Sequence, residues 1–316
     1  MAWLPTAIVL IIAGLFLREL ATVLRARVPT QTRAALVGDS APLCQEEIPK
    51  IIWTFWQVTP APAFVQACLA NWRRFAPDHE VRLLARDDIT RWLPELRADF
   101  DTLATDLQAD WLSVQLLARH GGIWMDASML LSRDLAWLHE TRKRRAADYV
   151  GFYIDRHTTR PELPIVANWM MASVPGGRFV TTLAAAFDRE LNEGTEALLQ
   201  RLQAEGRHAR VVQALTENTQ DDLLWQLAAA DLLDREPQRA RLVLLRAEDG
   251  PLAWQAGVGW SKRHLFARLA LVPCPRVLPA VLRLRGGDRT LVERNWQRGW
   301  VSPFSALVQL IDRPKT

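Results

Sequence analysis

One stretch constrains this chain more than any other: A-D-W-L-S-V-Q-L-L-A-R-H-G-G-I-W-M-D-A-S-M-L-L-S, residues 109–132. Its first half carries apolar residues at helical spacing, Trp111, Leu112, Val114, Leu116 and Leu117. Gly121-Gly122 closes that run, and glycine takes the positive φ that stops a helix. Ile123-Trp124-Met125 then reads as a buried strand that delivers Asp126 at its C-terminal edge. Ligands of open α/β sheets sit outside the carboxyl ends of strands, so an acid placed there is a functional candidate. A plain turn residue after a strand is the competing reading, and spacing alone does not choose between them.

The flanking sequence supplies the rest of an α/β pattern. Ile51 to Trp56 is β-branched and aromatic, as a buried strand is. Pro60 and Pro62 introduce an amphipathic helix through Phe64, Val65, Cys68, Leu69 and Trp72. Glu80 to Ala85 reads as a second strand, and Asp87-Asp88 as the cap of a further helix. Strand, helix, strand, helix in this order predicts a Rossmann-like parallel sheet. Further strands are expected at Tyr149–Ile154 and Ile165–Ala172, and a helix at Phe179–Leu191 after Gly176-Gly177. Residues 195–236 read as largely helical, with an acidic pair at Asp221-Asp222. Val277 to Leu284 alternates loosely, and two short amphipathic helices close the chain.

Before this region lies an uncharged run from Trp3 to Leu17, interrupted by Arg18-Glu19 and continued to Leu24. A spanning helix needs about 20 apolar residues, so the run suffices if Arg18 snorkels. Arg18, Arg25, Arg27 and Arg33 all follow it, and by the positive-inside rule the body then lies in the cytoplasm. The division expected is an anchor helix at 1–24, a linker at 25–47 containing Pro29, Gly38 and Pro42, and a globular domain at 48–316. Either a single pass through the inner membrane or a peripheral anchor fits this pattern. Cys44, Cys68 and Cys274 are odd in number and widely spaced, which argues against a disulfide framework or a structural zinc site. The net charge of +4 is small and scattered, apart from Arg142-Lys143-Arg144-Arg145, so no nucleic-acid partner is expected.

Several chemistries lack their motifs. There is no G-x-G-x-x-G, no P-loop, no G-x-S-x-G elbow, and no metal spacing among His79, His120, His139, His157, His208 and His264. Carboxylates at sheet edges, cations and aromatics remain; the chain has 14 Trp and 2 Tyr. That set suits a phosphate-bearing substrate with a flat base: an aromatic to stack, an acid for hydroxyls or a divalent ion, and a cation for pyrophosphate.

I-P-K-I-I-W-T-F-W at 48–56, followed by A-D-W-L-S-V-Q-L-L-A-R-H-G-G-I-W-M-D-A-S at 109–128, resembles the capsular polysaccharide synthesis protein family. That family is related to glycosyltransferase family 32, the yeast outer-chain initiating mannosyltransferases, and to the clostridial large-toxin glucosyltransferase domains. N-W-M-M-A-S at 168–173 and R-L-R-G-G-D-R at 283–289 also resemble capsular segments. The likeness is good over about 48–175 and looser beyond.

The resemblance implies a GT-A fold with an N-terminal anchor helix and a helical C-terminal part. It also implies a retaining, hexosyltransferase-like enzyme that uses a nucleotide-sugar donor and a glycan or lipid-linked acceptor at the membrane. By position, Trp56 would stack on the donor base, Asp110 would bind ribose or sugar hydroxyls, and Asp126 would be the first Asp of the D-x-D motif. Trp124, Ser113 and Arg285 complete the donor-binding set, and Asp126 with Ser128 would hold Mn²⁺ or Mg²⁺. Two positions depart from the pattern. Ser113 stands where the family has Arg, and Ser128 where it has the second Asp. A hydroxyl is a neutral and weaker ligand than a carboxylate, so metal affinity should fall. Arg285 and Arg289 beside Gly286-Gly287 read either as surface charge or as a basic loop closing on the pyrophosphate. For Trp56 core packing competes, and for Asp110 a helix N-cap. The alternative function is a non-catalytic nucleotide-sugar or glycan-binding protein with a degenerate D-x-D site.

Overall fold

The computed structural model describes residues 3–213, 215 and 223–312; the acidic pair Asp221-Asp222 lies outside them. The strands are β1 (Ala34–Val37), β2 (Ile51–Phe55), β3 (Glu80–Leu84), β4 (Gly122–Met125), β5 (Leu130–Leu131), β6 (Tyr149–Tyr153), β7 (Val166–Ser173), β8 (Leu242–Arg246) and β9 (Val281–Leu282). Before the central strands come the helices α1 (Trp3–Arg25), α2 (Ala63–Phe75), α3 (Ile89–Trp92) and α4 (Thr105–His120). Then follow α5 (Ala136–Arg145), α6 (Arg178–Glu193), α7 (Thr195–Ala204), α8 (His208–Val212) and α9 (Leu223–Arg235). The C-terminal part adds α10 (Ala253–Gly257), α11 (Lys262–Phe266), α12 (Gly286–Gln297) and α13 (Ala306–Leu310).

Among the described residues the main sheet has seven strands in the order β1-β8-β6-β7-β4-β2-β3. It is mixed rather than parallel throughout, as the alternating pattern had predicted. β2 pairs parallel with β3 and β4, and β6 parallel with β8, whereas β7 runs antiparallel to both β4 and β6. The reversal follows from the β6–β7 connection, residues 154–165. It carries one 3₁₀ turn, Asp155–His157, and no α-helix that would bring the chain back in the same direction.

β1 also runs antiparallel, pairing Ala34 with Leu245 and Val37 with Leu242. Within the segment 25–47, read as a linker, Ala34–Val37 thus forms an edge strand of the sheet. Its attachment is reinforced by Arg33, whose guanidinium meets the buried Asp249 carboxylate at 3.1 and 3.2 Å.

Alternation along the central strands splits the core into two layers. Trp53, Phe55 and Trp124 face α4, α6 and α9 with Leu112, Leu116, Leu183, Phe187 and Trp225. Ile52, Ile123 and Met125 face the other side, with Trp72 of α2, Leu138 of α5 and Phe152, Trp169 and Met170. Near-complete burial of such side chains stabilises each layer by tens of kcal/mol before entropy, at about 25 cal/mol per Å² of apolar surface.

The glycine pair works as the pattern predicts. Gly121 has φ 64° and Gly122 φ 99°. A Cβ on Gly122 would lie 2.8 Å from the Ile51 carbonyl oxygen, so only glycine lets α4 turn into β4 alongside β2.

A third cluster packs α10–α13 around Trp254, Leu265, Leu269, Trp296 and Leu307. The C-terminal end of α1 docks here: Val23 and Ala26 are buried, Arg268 Nε donates to the Ala26 carbonyl at 3.2 Å, and Glu19 pairs with His264. Earlier in α1, Ile8 to Ile12 and Leu15 to Leu17 are exposed. Ala7–Arg25 is long and apolar enough to cross a membrane, with mean hydropathy 2.2 over its best window and 6% of that window buried.

Candidate functional site

A cleft of about 520 Å³ opens at the C-terminal edge of β2 and β4. These parallel neighbours align Ile52 with Ile123 and Trp53 with Trp124, which sets the residues after each strand side by side. The wall from β2 is Thr54 to Val58; that from α4 is Thr105, Asp106, Ala109 and Asp110; that from β4 is Trp124 and Asp126 to Ser128. Asn168 of β7 closes the floor, and Arg283, Leu284, Gly286 and Arg289 close the far side. Thr105 Oγ1 donates to Gln57 Oε1 at 2.9 Å and ties the first turn of α4 to the rim.

The far side is brought in by a two-stranded ribbon. β5 starts two residues after Ser128 and pairs antiparallel with β9, Leu130 with Leu282 and Leu131 with Val281. Arg283 follows β9 directly and so arrives beside Asp126. Its guanidinium stands 3.8 Å from Asp126 Oδ2 and 5.0 Å from the Trp169 ring centroid.

Asp126 is placed by its backbone. Its N–H donates to the Trp169 carbonyl at 2.9 Å, and its own carbonyl accepts from Met129 N–H at 3.0 Å in a turn. The side chain is 38% exposed, facing the cleft. Asp110 lies well inside α4, whose N-cap is Ala104, so the N-cap reading does not hold. Its Oδ1 accepts a 2.9 Å hydrogen bond from Asn168 Nδ2. Trp56 is half-buried at the rim, with the Arg289 guanidinium 5.0 Å from its ring, so it is neither a core residue only nor fully free. Trp124 forms part of the wall and is 3% exposed.

Three expected site residues stand elsewhere or are engaged inward. Ser113 is fully buried, donates to the Asp110 carbonyl at 2.7 Å, and does not line the cleft. A hydroxyl three residues along a helix is short enough to bond back to it, whereas an arginine there would reach outward. Arg285 turns away: it pairs with Asp288 at 2.7 and 3.2 Å and lies over Trp260 at 5.2 Å, beside a separate depression. The segment 285–289 is no loop, because Arg285 is the N-cap of α12. Ser128 is in the cleft, but it is 9% exposed and its Oγ donates to the Leu284 carbonyl at 3.2 Å.

Asn168 and Arg283 were missed as individuals, although both open segments singled out for their likeness to capsular sequences. Arg283 was indistinguishable from Arg285 on local sequence; the β5–β9 register separates them.

The divalent ion implied by the resemblance fits this donor set poorly. Asp106, Asp110 and Asp126 all line the cleft, yet no three His, Cys, Asp or Glu side chains cluster closely enough to hold a metal among the described residues. Of the two positions expected to ligate it, one is a buried hydroxyl already hydrogen-bonded, and the other is a carboxylate with a guanidinium at 3.8 Å. Hard cations take six or more oxygen ligands and favour carboxylates.

His157, half-buried, has its pKa lowered first by burial and then by Arg156, Arg283 and Arg285.

Three comparisons with known proteins bear on this chain. The chain is 30% identical over 151 residues to "O-glycosyltransferase braB" of Annulohypoxylon truncatum, a match covering 42% of this chain and 35% of that protein. The chain thus spans about a third of the length of that curated relative. A solved structure, "PaToxG Glycosyltransferase", aligns over 83% of this chain and 90% of its own at 12% identity, with a TM-score of 0.35. Residues 30–190, more than half of the 316, match the sequence model described as "Capsular polysaccharide synthesis protein". The stretch from β1 through most of α6, including Trp56, Asp110, Asp126 and Asn168, is therefore that of a member of the capsular polysaccharide synthesis protein family.

Proposed function

We propose that the chain is a GT-A-type glycosyltransferase that moves a sugar from a nucleoside-diphosphate donor to a glycan or lipid-linked acceptor in surface polysaccharide synthesis. The observation that carries this reading is the convergence of Trp56, Asp110 and Asp126 on one cleft at the carboxyl edge of β2 and β4. In the reaction, the bond from the anomeric carbon to the diphosphate oxygen breaks and its electron pair leaves with the diphosphate. A bond forms from that carbon to an acceptor oxygen, whose O–H bond breaks as its proton passes to the departing diphosphate. Trp56 offers a flat face at the rim for the base. Asp110, fixed by Asn168, and Asp126, beside it in the cleft, accept hydrogen bonds from donor hydroxyls.

The family resemblance supports retention of anomeric configuration, and proton NMR of the first-formed product reads it directly. The apolar, exposed N-terminal two-thirds of α1, with Arg18, Arg25, Arg27 and Arg33 after it, supports anchoring in the inner membrane with the cleft on the cytoplasmic side.

The test is to incubate the full chain with a panel of nucleotide sugars and membrane extract, and to follow release of nucleoside diphosphate and glycan labelling. Release that depends on Asp126 sustains the reading. The inward-turned Ser113 and Ser128 favour a second one, a binding protein that has lost turnover. Saturable binding of a nucleotide sugar, with no hydrolysis or transfer under any condition, would select it.

A further inference from the structure

We propose that Arg283 and Arg289 neutralise the donor diphosphate in this cleft, in the place of a divalent cation, so that the nucleotide is held and released without a metal. The inference rests on the cleft being a donor site. It departs from the D-x-D expectation at Asp126 and Ser128.

Three observations converge on it. The first is the poverty of the metal site. A cation bound to Asp126 would lie about 2.0–2.6 Å from a carboxylate oxygen. The Arg283 guanidinium, 3.8 Å from Oδ2, would then be a like charge at close range. Ser128 adds no charge to offset it. The second is how the two arginines are held. Arg283 lies 5.0 Å from the buried Trp169 ring and Arg289 5.0 Å from Trp56. A guanidinium meets phosphate oxygens two at a time through its N–H edge. Both arginines line the cleft with a carboxylate near them, Asp126 at 3.8 Å from Arg283 and Glu293 at 3.9 Å from Arg289, whereas Arg285 pairs with Asp288 outside it. The third is position. Arg289 stacks on the same Trp56 that would take the base, and Arg283 adjoins the Asp126 that would face the sugar. A diphosphate bridging base and sugar has to pass between them.

Asp126 is not displaced in this scheme. When an anion takes up Arg283, the carboxylate becomes available to hydroxyls of the sugar.

The experiment is titration calorimetry of the full chain with UDP, GDP, ADP and CDP, and with the matching monophosphates, in EDTA and in Mn²⁺. The expected result is that the best diphosphate binds with affinity unchanged within about twofold between the two conditions, and about tenfold or more tighter than its monophosphate. Arg283→Met keeps an apolar stem over Trp169 and should erase most of that diphosphate preference; Arg283→Lys should keep part of it. Arg289→Gln, at a more exposed position, gives the same reading should Arg283→Met fail to fold. Tightening of about tenfold or more by Mn²⁺, or an undiminished preference in both Arg283→Met and Arg289→Gln, would overturn the inference alone. Failure of every nucleoside diphosphate to bind in either condition would overturn the donor-site reading and this inference with it.

Discussion

Where β6 begins, Asp148 is 3% exposed and takes Arg178 in a fork, with Nε to Oδ1 at 3.0 Å and Nη2 to Oδ2 at 2.8 Å. The backbone N–H of Arg241 adds a third bond to Oδ2 at 2.8 Å. At the opposite edge, where β4 ends, Asp126 is 38% exposed and its ion pair with Arg283 is 3.8 Å long. Both edges join a carboxylate that adjoins a strand to an arginine from elsewhere in the chain. At the first, the carboxylate fixes the guanidinium, closing the sheet against α6. At the second, the arginine also lies over the Trp169 ring, and the carboxylate faces the cleft. A buried pair is costly to break and holds the scaffold. A partly exposed one is cheaper to rearrange, which is what a site that binds and releases an anion needs.

The comparison breaks most sharply at Asp126. Asp126→Asn should lower sugar transfer by about a thousandfold or more, while the melting temperature moves little because the side chain is half in water. Turnover near that of the parent would mean this edge is scaffold too. Asp148→Ala should do the reverse. Loss of a buried carboxylate that satisfies Arg178 and Arg241 should cost about 3 kcal/mol in denaturant unfolding. Activity per folded molecule should stay close to the parent's. Asn168→Ala sharpens the boundary between the two behaviours. It leaves the 8%-exposed Asp110 without its 2.9 Å donor, and should raise the donor KM by about tenfold with a smaller change in kcat. A fall in stability with KM unchanged would assign Asn168 to the fold.

A further test uses pH. For Asp249 burial alone would raise the pKa. Hydrogen bonds from the Arg33 side chain and backbone and from Arg246 outweigh it and hold the carboxyl below its ordinary value. A carboxylate depressed in the folded state contributes its stability above the unfolded pKa, near 4, and loses it as pH falls through the folded value. Asp249→Asn should therefore flatten the acid limb of a stability–pH curve below about pH 4, and an unchanged limb would show that β1 is held by its ladder alone. The smallest effect is expected at the exposed Lys50–Asp78 pair, 2.7 Å apart, where Lys50→Ala should change stability by no more than about 1 kcal/mol.

What could be read from the amino-acid sequence follows the range of the forces involved. α4, its glycine stop and β4 were legible because helical spacing, positive-φ glycines and a short apolar run are local signals; the helix ends at His120 and the strand begins at Gly122. The strands near 149 and 166 were legible for the same reason. Their relative direction was not, since a strand buried on both faces reads alike whichever way it runs. β1 was hidden because four residues between a proline and a glycine carry less signal than the breakers around them. In the site, Asp126 and Asp110 were singled out through ordered motifs, and both line one cleft. Arg283 came from pairing over 150 residues of chain, β5 with β9, and no periodicity near position 283 encodes it.

The docking of α1 sets a length scale. Glu19, Val23 and Ala26 seat the base of this helix on α11 and the turn after it, and Gly257 leaves room for Ala26 to approach. A Cβ on Gly257 would come within 3.0 Å of Ala26 Cα, so the seat is a close fit rather than a tether. A bilayer that grips Ile8 to Leu17 would therefore hold the cleft at a fixed height above the lipid surface. Acceptors would be measured against that height, with those whose growing end stands too near or too far passing beneath or beyond the reach of Asp126.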